Sequence, residues 1–402
     1  MTPWRAIVVL LPVLPVLPGC GTTEFRTGLA VLEETGFAEL RGRRVAVVTN
    51  PTGVNSRLRS VVDLLAEQPE VRLVAIFAPE HGVRGAAEAG EEVSDARDPR
   101  SGVPIYSLYG ERRRPSPAML DGVEVILFDV QDVGVRTYTY LSTLVEVLRA
   151  AAERQVEVWV LDRPVPIGAD RVEGPVLEAG RESFVGAHTV PLRHGLTAGE
   201  FARLVNRERR IGVRLRVVEM VGYHRDWPFS RTGLSWIAPS PNLPTPGSVL
   251  VYAGMVLVEG TNLSEGRGTT RPFQLVGAPW IDGRRLADDL NGRGLSGVIF
   301  REAYFTPSFS KHRGERCSGV EVHVVEPGAF RPVVAGVALL QAVRKLHPEA
   351  MRFHADAFDR LAGGSGLRTA IEAGVPLAAI VDSWSPALEA YRQRRQRVLL
   401  YD

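Results

Sequence analysis

Cysteine is nearly absent. The 402 residues hold two, Cys20 and Cys317. One falls in an N-terminal leader, so the body of the chain keeps a single thiol. That excludes a disulfide framework and a two-cysteine zinc site there, and Cys317 reads as a buried small residue. An excess of one charge is lacking too: 48 Lys and Arg face 46 Asp and Glu. No field strong enough to argue for nucleic acid follows from that balance. No internal repeat or long low-complexity tract interrupts the chain. Cofactor fingerprints are missing as well. No G-x-G-x-x-G follows the first strand, and no G-x-x-x-x-G-K-[ST] occurs anywhere, which argues against a nicotinamide enzyme or a P-loop ATPase. There is no H-E-x-x-H, no H-x-x-x-H and no G-x-S-x-G elbow. No metal and no cofactor is assigned.

What is present begins with the leader. Residues 1–20 run from MTPWR through IVVLLPVLPVLP to LPGC, a charged start, an apolar centre of signal-peptide length and a small residue before a cysteine. The pattern resembles a bacterial lipoprotein signal, with Cys20 as the lipidated residue and Pro18 an unusual neighbour. Ordinary secretion with an incidental cysteine is the alternative. Either reading makes the mature protein an exported one, at the cell envelope.

From Arg43 apolar runs alternate with amphipathic segments. RRVAVVT, VRLVAIF, EVILFDV, VEVWVLD and VRLRVVEM read as strands. LRSVVDLLAEQ, YLSTLVEVLRAAAERQ and TAGEFARLVNRE read as helices, the last with a threonine cap. Such alternation predicts βαβ units, hence an α/β, Rossmann-like and mostly parallel sheet covered on both faces. This domain is expected over 28–251. After it a glycine-rich loop, two short strands and helices predict a smaller α+β domain over 252–402.

In open α/β sheets ligands bind beyond the carboxyl ends of the strands. Four such ends carry chemistry: TNPTG, PEHG, DVQDVGVRTYTY and DRPVP. They should bring Asn50, Glu80, His81, Asp129, Gln131, Asp132, Arg136, Asp162 and Arg163 to one rim. Each has a plainer reading alone. Asn50 with Pro51 and Gly53 is a turn, Asp129 a helix cap, and Asp162-Arg163 a local ion pair. Four together point to a site. Polar groups with arginines and tyrosines, no cofactor and an exported chain fit a carbohydrate. Sugar hydrolysis needs a carboxylic acid at the leaving oxygen and a second group on the opposite face. Glu80, at a strand end beside an apolar run, is the acid of choice, since desolvation there would raise its pKa.

The ordered series TNPTGV, PEHGVRG, DVQDVGVRTYTY, LDRP, RVEGP, LRHGLT, SPNLPTP, EGTNLSEGRGTTRPF, YFTPSFSKHRGERCSGVEVHV and LLYD resembles the NamZ-type exo-β-N-acetylmuramidases, from about residue 28 to the end. The resemblance implies a Rossmann-like domain, a smaller C-terminal domain and an active site in the cleft between them. It implies release of terminal N-acetylmuramic acid from the non-reducing ends of peptidoglycan fragments. Glu80 would be the catalytic glutamate of PEHG, with His81 and Asp129 beside it. Asn50, Gln131, Asp132, Tyr138, His194 and Asn242 would contact the sugar. Glu259, Asn262, Glu265, Arg267 and Arg271 would come from the far side of the cleft. Tyr138, Tyr140 and Trp236 are candidates to stack on a ring, or to pack. N-acetylmuramic acid carries a lactyl carboxylate, so a guanidinium partner is expected among Arg136, Arg163, Arg267 and Arg271. Some of these are expected instead to brace the cleft by pairing with Asp129, Asp132 or Glu265. The second catalytic group stays open among Asp129, Asp132 and Glu265, as does the choice between retention, inversion and assistance by the substrate's acetamido group. A lipoprotein that captures muropeptides without cleaving them would need the arginines but not the acid.

Overall fold

The computed structural model describes residues 24–83 and 95–402. The leader with Cys20, and Arg84 and Gly85 of the PEHGVRG motif, lie outside the described residues. Among the described residues, nine strands fall before residue 220: β1 (Arg44–Thr49), β2 (Arg72–Ala78), β3 (Ala96–Arg97), β4 (Pro104–Ser107), β5 (Val125–Asp129), β6 (Glu157–Leu161), β7 (Glu173–Val176), β8 (Pro191–Arg193) and β9 (Leu215–Val218). All but β7 and β8 form one sheet in the order β3-β4-β2-β1-β5-β6-β9. Every pairing in it is parallel except β3 with β4. Set that edge strand aside and the order is third, second, first, fourth, fifth, sixth: the doubly wound arrangement with its switch point between β1 and β5.

The central strands are mostly apolar between their ends because both sheet faces are covered. One face packs Val45, Val47, Ile76 and Leu127 under the helices Gly28–Glu34 and Val61–Ala66. The other packs Val48, Phe77, Ile126 and Phe128 under Tyr140–Glu153 and Ala198–Glu208. Each fully buried side chain of this kind contributes about 1.5–3 kcal/mol. Thr197 caps the second of those helices through a capping box with Glu200.

The C-terminal part holds β10 (Leu275–Ala278), β11 (Val298–Phe305) and β12 (Cys317–Val324), antiparallel in the order β10-β12-β11. Cys317 is buried against Leu275, Ala303 and Phe305, and burial pushes its thiol up to about 11. The helix Pro246–Met255 packs on Pro332–Leu346. A Cβ on Gly254 would lie 1.8 Å from the Pro332 carbonyl oxygen, so only glycine allows this approach. The change of composition near 251/252 therefore falls inside a helix that belongs with the C-terminal layer.

The two parts share one apolar cluster, and polar ties join them. Glu173 of the RVEGP motif accepts a 2.9 Å hydrogen bond from Val334 N, in the first turn of the helix Pro332–Leu346, where a carboxylate also suits the helix dipole. The helix Ser385–Gln396 returns to the N-terminal part, where the Tyr391 hydroxyl donates to His194 O at 2.6 Å. Leu400 N donates to Glu200 Oε1 at 2.9 Å, and the Tyr401 hydroxyl donates to Asp162 Oδ2 at 2.7 Å.

Candidate active site

At the switch point, where a doubly wound fold would seat a nucleotide, the crevice is filled. Register places Thr49 beside Asp129. A Cβ on Gly53 would sit 2.0 Å from Thr49 Oγ1 and 2.8 Å from Asp129 O, so the turn after β1 lies directly on the strand ends. The Arg163 guanidinium closes the gap, giving Nε to Asp129 Oδ1 (2.6 Å) and Nη2 to Oδ2 (3.0 Å). What remains is a crevice of about 20 Å³ lined in part by Thr52, Gln131, Arg163 and Trp236, room for about one water. Four residues named from the sequence are placed here, with the Arg163–Asp129 pair as one of the expected braces and Trp236 in the packing role held open for it. Asp129 is fully buried with both oxygens engaged, and burial raises its pKa while Arg163 opposes, so it is no second catalytic group. Arg163 is spent on it and on Val54 O. Gln131 gives both amide hydrogens to the carbonyls of Asp132 (2.8 Å) and Pro164 (2.6 Å), which makes it a brace. Trp236 packs edge-on to Phe229 and donates Nε1 to Leu243 O.

Glu80 stands just beyond β2 and is half-buried. The Thr139 hydroxyl donates to its Oε2 at 2.6 Å. His81, buried behind it, adopts φ 72° and begins a tight turn with Gly82 at φ 73°, a left-handed conformation uncommon outside glycine. Four tyrosines surround the acid. Tyr138 meets Tyr140 edge-on at 4.7 Å and Tyr252 at 6.1 Å. Tyr109 enters from the loop after β4 and lies 6.2 Å from the Phe184 ring. Burial and then the Glu80 carboxylate push the Tyr109 hydroxyl up to about 12. Burial raises Tyr138, Tyr140 and Tyr252, and all three also feel Glu80.

The glycine-rich loop arrives from the other part. Phe273 packs edge-on to Tyr252 at 4.8 Å, and the Arg267 guanidinium lies 5.1 Å over Phe273. Arg267 holds Glu259 Oε1 (2.6 and 3.0 Å) and stands 3.3 Å from Glu265. Burial raises Glu259, with Arg267 opposing. Lys311 ties the loop down through the carbonyls of Val258, Glu259 and Leu263, and pairs with Glu265 at 2.9 Å.

Four further expectations fail on geometry. Arg136 is buried with its guanidinium on the carbonyls of Pro175, Val190 and Leu361, and burial lowers its pKa to about 9. It is a clamp between the two parts. Arg271 is exposed and pairs with Glu321 of β12 at 2.9 Å. Asn262 spends its amide on Ala350 O and Arg352 N. Asp162 also leaves the site: Thr197, Gly199 and Tyr401 hydrogen-bond to it, and burial pushes it up to about 6.

The rest converge. Asn50 Nδ2, Asp132 Oδ1, Tyr138 Oη, His194 Nε2 and Asn242 Nδ2 are buried without a hydrogen-bond partner among the described residues. Tyr140 links several of them: it adjoins Asn50, Glu80 and Asp132, meets the Tyr138 ring edge-on, and donates its hydroxyl to Pro239 O (2.5 Å). His194 Nε2 lies 3.6 Å from Asp132 Oδ2. Buried polar groups in native proteins find partners almost without exception. A cluster of orphaned donors and acceptors beside a half-buried acid is prepared for polar groups that a ligand brings.

Sequence reasoning missed Tyr109, Thr139, Tyr252 and Lys311. Tyr109 follows β4, a short edge strand begun by Pro104 that periodicity does not reveal. Thr139 lies inside a motif read only for its charged and aromatic members.

Comparison with known proteins agrees with this architecture. Residues 45–247 match the family description "Exo-beta-N-acetylmuramidase NamZ, N-terminal", and residues 250–401 match its C-terminal counterpart. The chain is 45% identical over 377 residues to the peptidoglycan β-N-acetylmuramidase NamZ of Bacillus subtilis, covering 94% of this chain and 91% of that protein. Two crystal structures of DUF1343 family proteins from Bacteroides fragilis superpose on it. One has a TM-score of 0.88 at 38% identity, the other 0.77 at 30%, each covering 94% of this chain and 99% of its own. The chain with Glu80 among its four tyrosines belongs to the NamZ family of exo-β-N-acetylmuramidases.

Proposed function

We propose that the protein is an exo-acting glycoside hydrolase that releases β-N-acetylmuramic acid from the non-reducing ends of peptidoglycan fragments, with Glu80 as general acid. The observation that carries this reading is the half-buried Glu80 carboxyl, oriented by Thr139 and flanked by the orphaned polar cluster. The family and the relative in Bacillus subtilis support it. The site lies where the carboxyl rim of the sheet meets the loop 259–273, a cleft between the two domains.

For the lactyl carboxylate, the arginines named from the sequence are committed elsewhere or paired with Glu259 and Glu265. Arg113 is exposed, lies 4.6 Å over the Phe184 ring and has no ion pair among the described residues. It stands on the same aromatic wall as Tyr109, and we assign it that role. Export and lipidation at Cys20 rest on the leader sequence, and together they place the enzyme at the membrane face of the envelope, in wall turnover.

The test is hydrolysis of a chromogenic β-N-acetylmuramide beside the matching N-acetylglucosaminide, with Glu80→Gln as the control. Release from the muramide alone is expected, and the variant should lose about 10²–10⁴-fold in turnover while still binding the product. Release from neither substrate, with binding intact, would make the protein a muropeptide-capturing lipoprotein instead.

A further inference from the structure

The three carboxylates open to the role of second catalytic group differ sharply in their surroundings. Asp129 is locked in both oxygens by Arg163. Glu265 sits between Lys311 at 2.9 Å and Arg267 at 3.3 Å. Asp132 keeps an oxygen with neither a hydrogen bond nor an ion pair among the described residues: its Oδ2 accepts from Gly134 N at 2.7 Å, while Oδ1 is buried without a partner; Glu265 Oε2 also lacks a hydrogen bond but is paired with Lys311. The His194 ring is fixed beside it. Its Nδ1 accepts from Leu196 N at 3.2 Å, so in the neutral ring the hydrogen is on Nε2, 3.6 Å from Asp132 Oδ2. Asn50 and Tyr138, which share the neighbour Tyr140 with Asp132, add orphaned donors in an amide and a hydroxyl.

That is one open acceptor among several open donors. An acetamido group has the complementary set, one N–H to give and one carbonyl oxygen to receive. The distinction matters chemically, because an acetamido carbonyl next to the anomeric carbon is itself a nucleophile once its N–H is held by a carboxylate.

We infer that Asp132 seats the 2-acetamido group of the terminal sugar, and that this acetamido oxygen, not a protein carboxylate, attacks the anomeric carbon. The inference rests on the muramidase reading above. In the first step the Glu80 proton passes to the glycosidic oxygen as its bond to C1 breaks. The acetamido carbonyl oxygen forms the new bond to C1 from the opposite face. The nitrogen keeps its hydrogen, which Asp132 Oδ1 accepts, and the charge of the resulting oxazolinium ion faces that carboxylate. In the second step the Glu80 carboxylate takes a proton from water, the water oxygen bonds to C1, and the bond from C1 to the acetamido oxygen breaks. The product is N-acetylmuramic acid of retained β configuration, and Glu80 is again protonated.

The experiment uses the wild-type protein and a 4-nitrophenyl β-muramide series bearing acetyl, difluoroacetyl and trifluoroacetyl groups on nitrogen. Fluorine weakens the carbonyl oxygen as a nucleophile, so turnover should fall with each step, by more than about tenfold across the series. Proton NMR of the first-formed product should show the β anomer. Asp132→Asn should lose about 10²–10⁴-fold in kcat and should no longer bind a muramic-acid thiazoline, a cyclic mimic of the intermediate, that wild type binds tightly. A merely structural Asp132 would leave thiazoline binding in the folded variant unchanged, and that result would overturn the assignment. Equal rates across the fluorinated series, or the α anomer formed first, would overturn the mechanism while leaving the muramidase reading intact. Failure of wild type to cleave the acetyl substrate at all would count against that reading itself. Should Asp132→Asn fail to fold, the fluorinated series and the anomer on wild type still decide.

Discussion

Thr139 Oγ1 donates to Glu80 Oε2 at 2.6 Å, from the residue that precedes the helix Tyr140–Glu153. The contact sets the rotation of the acid from a rigid element that follows β5, across β1 from the end of β2. Thr139→Val keeps the shape and deletes the donor. A hydrogen bond to a charged group contributes about 1.5–3 kcal/mol, so kcat should fall about ten- to a hundredfold with KM little changed. Thr139→Ser should keep most of the activity. Steady-state kinetics on the chromogenic muramide checks both, and an unaffected Thr139→Val would remove the contact from the mechanism.

Arg113 rests on Phe184 without a carboxylate partner among the described residues. Its removal should matter only for a substrate with a lactyl group. In Arg113→Ala, kcat/KM for the muramide should drop about tenfold, as expected of a charge-assisted pair that stays partly solvated. Any slow turnover of the N-acetylglucosaminide should be unchanged. Equal losses on both substrates would point to a packing role instead.

Arg163 and Asp129 fill the switch point as a buried pair. Arg163→Ala leaves the carboxylate uncompensated and should cost about 3–5 kcal/mol of stability. Replacing both partners, as in Asp129→Asn with Arg163→Met, should recover a good part of that. Urea denaturation of the single and double variants measures the difference, and an additive loss would show that the two side chains are not coupled.

Asp162 is buried, and its pKa is pushed up to about 6, with burial the main cause and hydrogen bonds from Thr197, Tyr401 and Gly199 opposing. The folded state therefore holds a proton there that the unfolded chain has released. As pH rises from near 4 to above 6, the contribution of this one group to stability should fall, by roughly 3 kcal/mol. Tyr401→Phe removes one donor to the carboxylate and should move the upper end of that window higher. Chemical denaturation between pH 4 and 8 tests the sign; a contribution that rises with pH would contradict it.

Much of the fold was legible because burial on both sheet faces leaves its mark locally. Five strands and three helices of the first domain follow from apolar runs and from Thr197 at a cap. The short strands did not show. β4 begins at a proline and spans four residues, so neither length nor alternation marks it, and Tyr109 beyond it went unnoticed. For the candidate site, Glu80 and Asp132 could be named from the sequence because strand-end position suffices to suggest them. The arginines were not, because a guanidinium reads the same in sequence whether it faces a ligand, a carboxylate or three carbonyls. Arg136 illustrates the point. Its partners Pro175, Val190 and Leu361 are apolar or proline residues whose backbone oxygens carry no sequence signature.

The return of residues 391–402 to Glu200, Asp162 and His194 bears on how the chain acquires its shape. Domains commonly fold as units in the order in which they are synthesised. Here His194, Glu200 and Asp162 of the N-terminal half take hydrogen bonds from Tyr391, Leu400 and Tyr401, so these buried groups gain their native partners only when the C-terminal half is present.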